Sequence, residues 1–251
     1  MFRFKDKTVI VTGSGAGMGR EAAMLFAAEG ANVVVNSLSG SAQETCDAIL
    51  HQGGQALFVQ GDVGNAAFCE RLVAAAVERF GGIDVLVNAA GIVVDGSVET
   101  ARLEDWDRSM DCNVKSVFLL CRFAMPYLRL TKGSIVNVAS TVALKGVANR
   151  AIYSATKGAM VALSQSMAAE YVAEGIRVNC VSPGTVYSPS FQRRVDKAPD
   201  PEKALDAFIQ RQPMGRLGTA QEVARAIVFA SGVDVGFMTG ANIVVDGGMT
   251  I

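Results

Sequence analysis

A single α/β domain, built on a doubly wound parallel sheet of about seven strands with helices on both faces, is the fold this chain predicts. Three observations predict it: seven short β-branched runs recur along the 251 residues, helical stretches separate them, and the runs are apolar throughout. Parallel strands covered by helices have no solvent face, so they read as continuous apolar runs rather than alternating ones. Regular strand–helix alternation is the pattern of such a layered sheet.

In chain order the strands are expected at 8–11, 33–35, 57–59, 85–87, 135–138, 177–181 and 243–245, with about six helices between them, the first over 20–29. No repeat, low-complexity segment or linker divides the chain, so 1–251 reads as one domain. The loosely organised region is 184–215, where prolines at 189, 199, 201 and 213 surround a short helical patch. At the carboxyl edge of a parallel sheet, where ligands bind, such a segment reads as a lid or substrate wall. The apolar helices around 113–129 and 154–173 carry more hydrophobic surface than one sheet face needs, which points to subunit contacts.

Composition narrows the function. A net charge of −1 offers nothing to release counterions from a nucleic-acid backbone. Five cysteines (Cys46, Cys69, Cys112, Cys121 and Cys180) form no C-x-x-C pair, which fits reduced thiols in the cytoplasm and small buried filler. The charged start Met1-Phe2-Arg3-Phe4-Lys5-Asp6-Lys7 has no apolar run of a secretory signal, and no segment has the length of a membrane span. The sole histidine, His51, sits in a Gln/Gly turn and is expected at a solvated helix end, remote from any Ser-His-Asp arrangement. No clustered ligands suggest a metal enzyme.

Directly after the first strand comes Thr12-Gly13-Ser14-Gly15-Ala16-Gly17-Met18-Gly19, opening the first helix. Glycines there permit positive φ and let a pyrophosphate approach the backbone, while N–H groups at the helix start favour its charge. Placed between first strand and first helix, the turn reads as a dinucleotide site of Rossmann type. A carboxylate ending the second strand would bind the adenosine ribose diol and repel a 2′-phosphate. Here that end is Val35-Asn36-Ser37, and Ala16 and Leu38 occupy the usual basic positions. Asn36, Ser37 and Ser39 could bind a phosphate or cap the next helix. The reading leans to NADP, with NAD left open.

Tyr153 and Lys157 stand at i and i+4, on one face of a helix. A free tyrosine titrates near pH 10, about three units above neutrality. A neighbouring ammonium stabilises the phenolate and lowers that value, as does the positive charge of an oxidised nicotinamide. Ser140 ends the fifth strand, Asn113 lies in an adjoining helix, Asn88-Ala89-Ala90-Gly91 ends the fourth strand, and Asp62-Val63 ends the third.

T-G-x-x-x-G-x-G, the N-A-A-G turn, Asn113, Ser140, Tyr153-x-x-x-Lys157 and the closing Val245-Asp246-Gly247-Gly248 together resemble the short-chain dehydrogenase/reductase family over the whole chain. The resemblance implies NAD(P)-dependent hydride transfer with Tyr153 as acid/base and Ser140 orienting the substrate oxygen. It implies that Lys157 binds the nicotinamide ribose and lowers the Tyr153 pKa, and that Asn113 holds a relay water. Cofactor contacts then fall to Gly13, Ala16, Gly17, Met18 and Gly19 at the turn, Ser37 after the second strand, Asp62 and Val63 at the adenine, Asn88 and Ala90 near the ribose, Tyr153 and Lys157 themselves, and Val186 and Ser188 at the carboxamide. Ala89 and Ser188 replace the family's more usual Asn and Thr. A homotetramer is also implied.

The segments 145–153 and 183–189 resemble a narrower branch, the cytosolic type 2 (R)-3-hydroxybutyrate dehydrogenases and bacterial sugar-acid dehydrogenases. That likeness implies a carboxylate site at Arg150, Arg194 and Arg211, whose forked donors suit a carboxylate. The mammalian-type members carry an Asp where Ser37 stands. A small hydroxy or keto acid, with a sugar acid among the candidates, is therefore the expected substrate. The rival readings are an NADPH-dependent 3-oxoacyl-thioester reductase and a non-catalytic nucleotide sensor, although such a sensor would typically lose the Tyr or Lys that this chain keeps.

Overall fold

A computed structural model of the protein describes residues 3–251; Met1 and Phe2 of the charged start lie outside the described residues. Seven parallel strands, β1 (Thr8–Val11), β2 (Asn32–Ser37), β3 (Gln55–Gln60), β4 (Val85–Asn88), β5 (Ser134–Val138), β6 (Arg177–Pro183) and β7 (Asn242–Val245), form one sheet in the order β3-β2-β1-β4-β5-β6-β7. Every predicted strand is present. The order reverses between β1 and β4, which leaves a crevice at their carboxyl ends.

Alternation along each strand divides the core in two, because successive side chains point to opposite faces. Ile10, Val34, Leu86, Ile135 and Val178 pack with Leu72, Leu120, Leu128 and Met160. Val9, Val11, Val33, Val35, Val85, Val87, Val136 and Val138 pack with Phe26, Ile49 and Ile227 on the other face. The first face is covered by α3 (Ala66–Phe80), α5 (Ser116–Thr131) and α6 (Ala151–Tyr171), the second by α1 (Gly17–Ala28), α2 (Ser41–His51) and α9 (Ala220–Ser231). The edge strands β3 and β7 are only half-buried, so their apolar runs do not mark strands enclosed on both faces. Four cysteines are buried filler as expected, but Cys112 is only part-buried. His51 ends α2 and is exposed.

Nine α-helices occur among the described residues rather than about six, and the difference lies near the crevice. One addition is α4 (Leu103–Met110), which runs through a π-helical turn, Asp111–Lys115, into α5. The segment 184–215 is better ordered than its prolines suggested. It holds α7 (Pro189–Asp196) and α8 (Pro201–Ile209), with Ser188 accepting from the Phe191 N–H and Asp200 from the Lys203 N–H as N-caps. Pro189 and Pro201 occupy the first helical position, where proline's fixed φ is preorganised and its missing N–H costs nothing. These prolines start helices.

No described helix is long and apolar enough to cross a membrane.

Candidate active site

The strand ends around the reversal open onto a cleft of about 630 Å³. At Gly13 φ is +63°, and a Cβ there would lie 2.7 Å from the Ala90 Cα, so glycine is what lets the turn close onto the segment after β4. A Cβ at Gly19 would sit 2.4 Å from the Gly13 carbonyl oxygen, which fixes how closely α1 rises from the turn. Its N-cap, Ala16, supplies no side-chain acceptor, so the first-turn N–H groups of α1 point toward ligand space with the helix dipole behind them. This cradle fits a pyrophosphate.

Gly13, Ala16, Gly17, Met18, Gly19, Ser37, Asp62, Val63, Ala90 and Ser188 all border the cleft. Asn88 does not. Its side chain turns into the sheet and donates to Asn137 Oδ1 at 2.7 Å, because a buried amide at a strand end needs a partner more than it needs the crevice. The Asn88 Oδ1 is buried without a protein partner. Ser37 borders the cleft, but its hydroxyl donates to the Ser39 carbonyl and accepts from the Ala42 N–H at 3.0 Å, which is the capping role. Asn36 ties β2 to the β3 end through the Val59 and Gly61 carbonyls. Cys112 and Arg193, which no motif singled out, also line this cleft. Arg193 is exposed on α7.

The cleft continues into a smaller chamber of about 150 Å³ walled by Ser140, Tyr153, Val186, Arg150, Arg194, Arg211, Phe208 and Met249 among others. Ser140 follows β5 and caps a short 3₁₀ turn, Thr141–Ala143, accepting from the Val142 N–H at 3.4 Å. On α6, Tyr153 and Lys157 stand one turn apart, and the Lys157 Nζ lies 5.8 Å from the centroid of the Tyr153 ring. That Nζ donates to the Val138 carbonyl at 2.7 Å, so β5 both presents Ser140 and anchors the lysine. Lys157 is 4 % exposed, and burial pulls its pKa down to about 8. Burial pushes the Tyr153 phenol up, opposed by the Ser140 hydroxyl and the positive charge of Arg194 and Arg150. The groups that lower the phenol here thus include two arginines, and Lys157 is not among them.

Asn113 lies in the π turn, fully buried. Its Oδ1 accepts from the Ile92 N–H at 2.8 Å, and its Nδ2 donates to the Ile92 carbonyl and Thr156 Oγ1. The amide clamps the segment after β4 to α6. A π turn of this kind changes the helix register by one residue and recurs at functional sites.

Arg150, Arg194 and Arg211 converge at the chamber as the sequence resemblance implied. The Arg194 and Arg211 guanidiniums lie 5.3 and 4.6 Å from the centroid of the Phe208 ring, a cation–π distance for each. Burial lowers the pKa of both, and each is lowered further by Arg150. The Arg194 Nε is buried with no protein partner. At the far wall, Asp246 accepts from the Gly248 and Thr250 N–H groups, and the Lys145 Nζ donates to the Met249 carbonyl, which brings Met249 into the chamber.

The chain is similar to known proteins along nearly all its length. A family profile described as enoyl-(acyl carrier protein) reductase matches residues 13–250. An uncharacterized oxidoreductase of Thermotoga maritima is 45 % identical over 249 residues, covering 98 % of each chain. A 2-keto-3-deoxy-L-fuconate dehydrogenase of Xanthomonas campestris is 38 % identical over 98 % of this chain and 81 % of its own. A meso-2,3-butanediol dehydrogenase of Serratia marcescens is 39 % identical over 99 % and 96 %. Among solved structures, one from Burkholderia xenovorans, described provisionally as a short-chain dehydrogenase/reductase, superposes with a TM-score of 0.96 at 33 % identity, covering 100 % of this chain and 98 % of that one.

Proposed function

Because the chain belongs to the short-chain dehydrogenase/reductase family, whose dehydrogenases use NAD or NADP on alcohols and ketones, we propose that it interconverts the hydroxyl and ketone of a small carboxylate-bearing acid, with Tyr153 as the proton-transfer residue. The glycine turn and the first-turn N–H groups of α1 would hold a nicotinamide cofactor in the cleft, and that cofactor would supply or accept the hydride. The protein positions the substrate and moves the proton. A phenol raised by burial stays protonated at neutral pH and is poised to give its proton to a ketone oxygen held by Ser140. In the reverse direction the positive charge of an oxidised nicotinamide would join Arg194 and Arg150 in favouring the phenolate. Lys157 would hold the nicotinamide ribose, and the π turn at Asn113 would offer main-chain groups to a relay water.

One observation carries the carboxylate: three guanidiniums meet at the chamber that Tyr153 and Ser140 share, and the buried Nε of Arg194 has no protein partner. Buried donors without partners are costly, and a bidentate carboxylate satisfies them. Relatives of equal identity bear the names of a sugar-acid enzyme and of an uncharged-diol enzyme, so the arginines and not the names select the acid. Arg194→Ala is expected to raise KM for a hydroxy acid about 10- to 100-fold and to leave KM for its amide analogue unchanged. Unchanged KM for the acid in Arg150→Ala, Arg194→Ala and Arg211→Ala alike would refute the reading. A 3-oxoacyl-thioester reductase is the second reading, favoured by the family profile's description; higher turnover of an acyl thioester than of the free acid would select it.

For the cofactor, β2 ends without a carboxylate to repel a 2′-phosphate, and Ser39, Ser41 and Arg193 border that end of the cleft. NADP is the expected cofactor. Ser37→Asp is expected to shift the ratio of kcat/KM values toward NAD by at least about tenfold, since like charges brought together cost several kcal/mol. The check is steady-state kinetics with each cofactor; an unchanged ratio refutes the assignment. The exposed apolar Phe118 of α5 and the groove between α5 and α6 support subunit contact, with a homotetramer as the expected assembly.

A further inference from the structure

The segment after β4 is pinned to the start of α6. The Gly96 N–H donates to the Asn149 carbonyl at 3.1 Å, and the Ala151 N–H donates to the Gly96 carbonyl at 3.3 Å. Asn149 holds a φ of +58°, a conformation that asparagine tolerates better than most residues. These ties set Asp95 beside the arginine cluster. Its Oδ1 lies 2.6 Å from the Arg150 Nη1.

Exposure of the pair is lopsided: the Arg150 side chain is 10 % exposed and that of Asp95 59 %. Arg150 is also held by its donation to the Asn149 carbonyl at 2.7 Å. The guanidinium therefore stays, and the carboxylate can turn out to water at little cost. Among the described residues, Asp95 is the sole acid in ion-pair range of Arg150, Arg194 or Arg211. Its charge also reaches Arg194 and Arg211, opposing the depression that burial and the Arg150 charge impose on both.

We propose that Asp95 is a specificity-determining residue, a resident carboxylate on Arg150 that an incoming substrate carboxylate displaces, so that it sets how tightly the cluster binds acids. The inference rests on the carboxylate reading of the chamber. Removing an internal competitor strengthens binding of the external one, whereas removing a purely structural ion pair loosens Arg150 and weakens it.

Calorimetric titration of the cofactor-loaded protein with butyrate, and with butyramide as the neutral control, tests this. Asp95→Asn is expected to tighten butyrate binding about two- to fivefold, the range of a part-exposed ion pair, and to leave butyramide and cofactor affinity unchanged. Asp95→Ser, which removes the same charge with a smaller side chain, should change butyrate affinity in the same direction. If butyrate binds unchanged or more weakly in both variants while Arg194→Ala still weakens it, the role of Asp95 is overturned and the carboxylate reading stands. If Arg194→Ala has no effect on butyrate either, the carboxylate reading fails and the role of Asp95 with it.

Discussion

Tyr153→Phe is expected to lower kcat/KM by about 10²- to 10⁴-fold, the usual worth of a positioned general acid or base, or about 3–5 kcal/mol of barrier. The substitution removes one hydroxyl from a side chain that otherwise keeps its ring and its packing on α6. Cofactor affinity should change little, because the glycine turn and the N–H groups of α1 lie elsewhere in the cleft. The sole histidine ends α2 and lies outside the chamber, so it cannot replace the phenol. Fluorescence titration of the cofactor together with steady-state kinetics separates the two effects. Retained turnover in the Phe variant would place the proton transfer elsewhere.

Lys157→Met should reduce kcat/KM about 100-fold or more, by removing the ammonium proposed to hold the nicotinamide ribose and so to keep the cofactor's positive charge beside the phenol. It also exposes a conflict between function and stability. In the folded state Lys157 titrates near 8 instead of 10.5, because burial disfavours its charge. Below pH 8 both folded and unfolded chains carry the proton, and the burial penalty is present in full. Between 8 and 10.5 the unfolded chain binds more protons, so stability rises with pH; above 10.5 both forms are neutral and the penalty is gone. Denaturant unfolding from pH 7 to 10 should show this rise in the parent protein and lose that increment in Lys157→Met. Equal pH slopes in the two proteins would contradict the burial of a titrating lysine.

Much of this architecture is legible in the sequence, for physical reasons that also explain what is not. Strand positions were readable because runs such as Val33-Val34-Val35 are apolar on both faces of the sheet. The turn at Gly13 was readable because its positive φ and close approach to Ala90 leave glycine as the residue that fits. Pro189 and Pro201 misled, since a proline that breaks a helix and one that begins it differ only in what precedes them. The caps Ser188 and Asp200 were the signal that could have decided it. The π turn at Asn113 depends on a one-residue change of hydrogen-bond register and leaves no mark in composition or period. Asn88 was placed near the ribose by resemblance, and its side-chain partner Asn137, on the neighbouring strand 49 residues away, was beyond local reading.

At the site, the Tyr153–Lys157 spacing was visible because one helix carries both. Helical spacing alone could not show that Lys157 is held by the Val138 carbonyl, nor that Arg150 and Arg194 bias the phenol. Those contacts are tertiary. Arg194 and Arg211 were identified by resemblance, while the Phe208 ring that both guanidiniums approach carried no motif. Asp95 was missed for a similar reason: it meets Arg150 only because Gly96 pairs with the backbone at 149–151.

At the centre of this account is a phenol that a bound nicotinamide brings into range for proton exchange. The most direct measurement is ultraviolet difference titration of tyrosinate with and without oxidised cofactor, in the parent protein and in Tyr153→Phe. Cofactor is predicted to lower the titration of one tyrosine by more than about one pH unit, and the Phe variant to show no such shift. A titration that cofactor leaves unmoved, or a shift that persists in the Phe variant, would contradict the account.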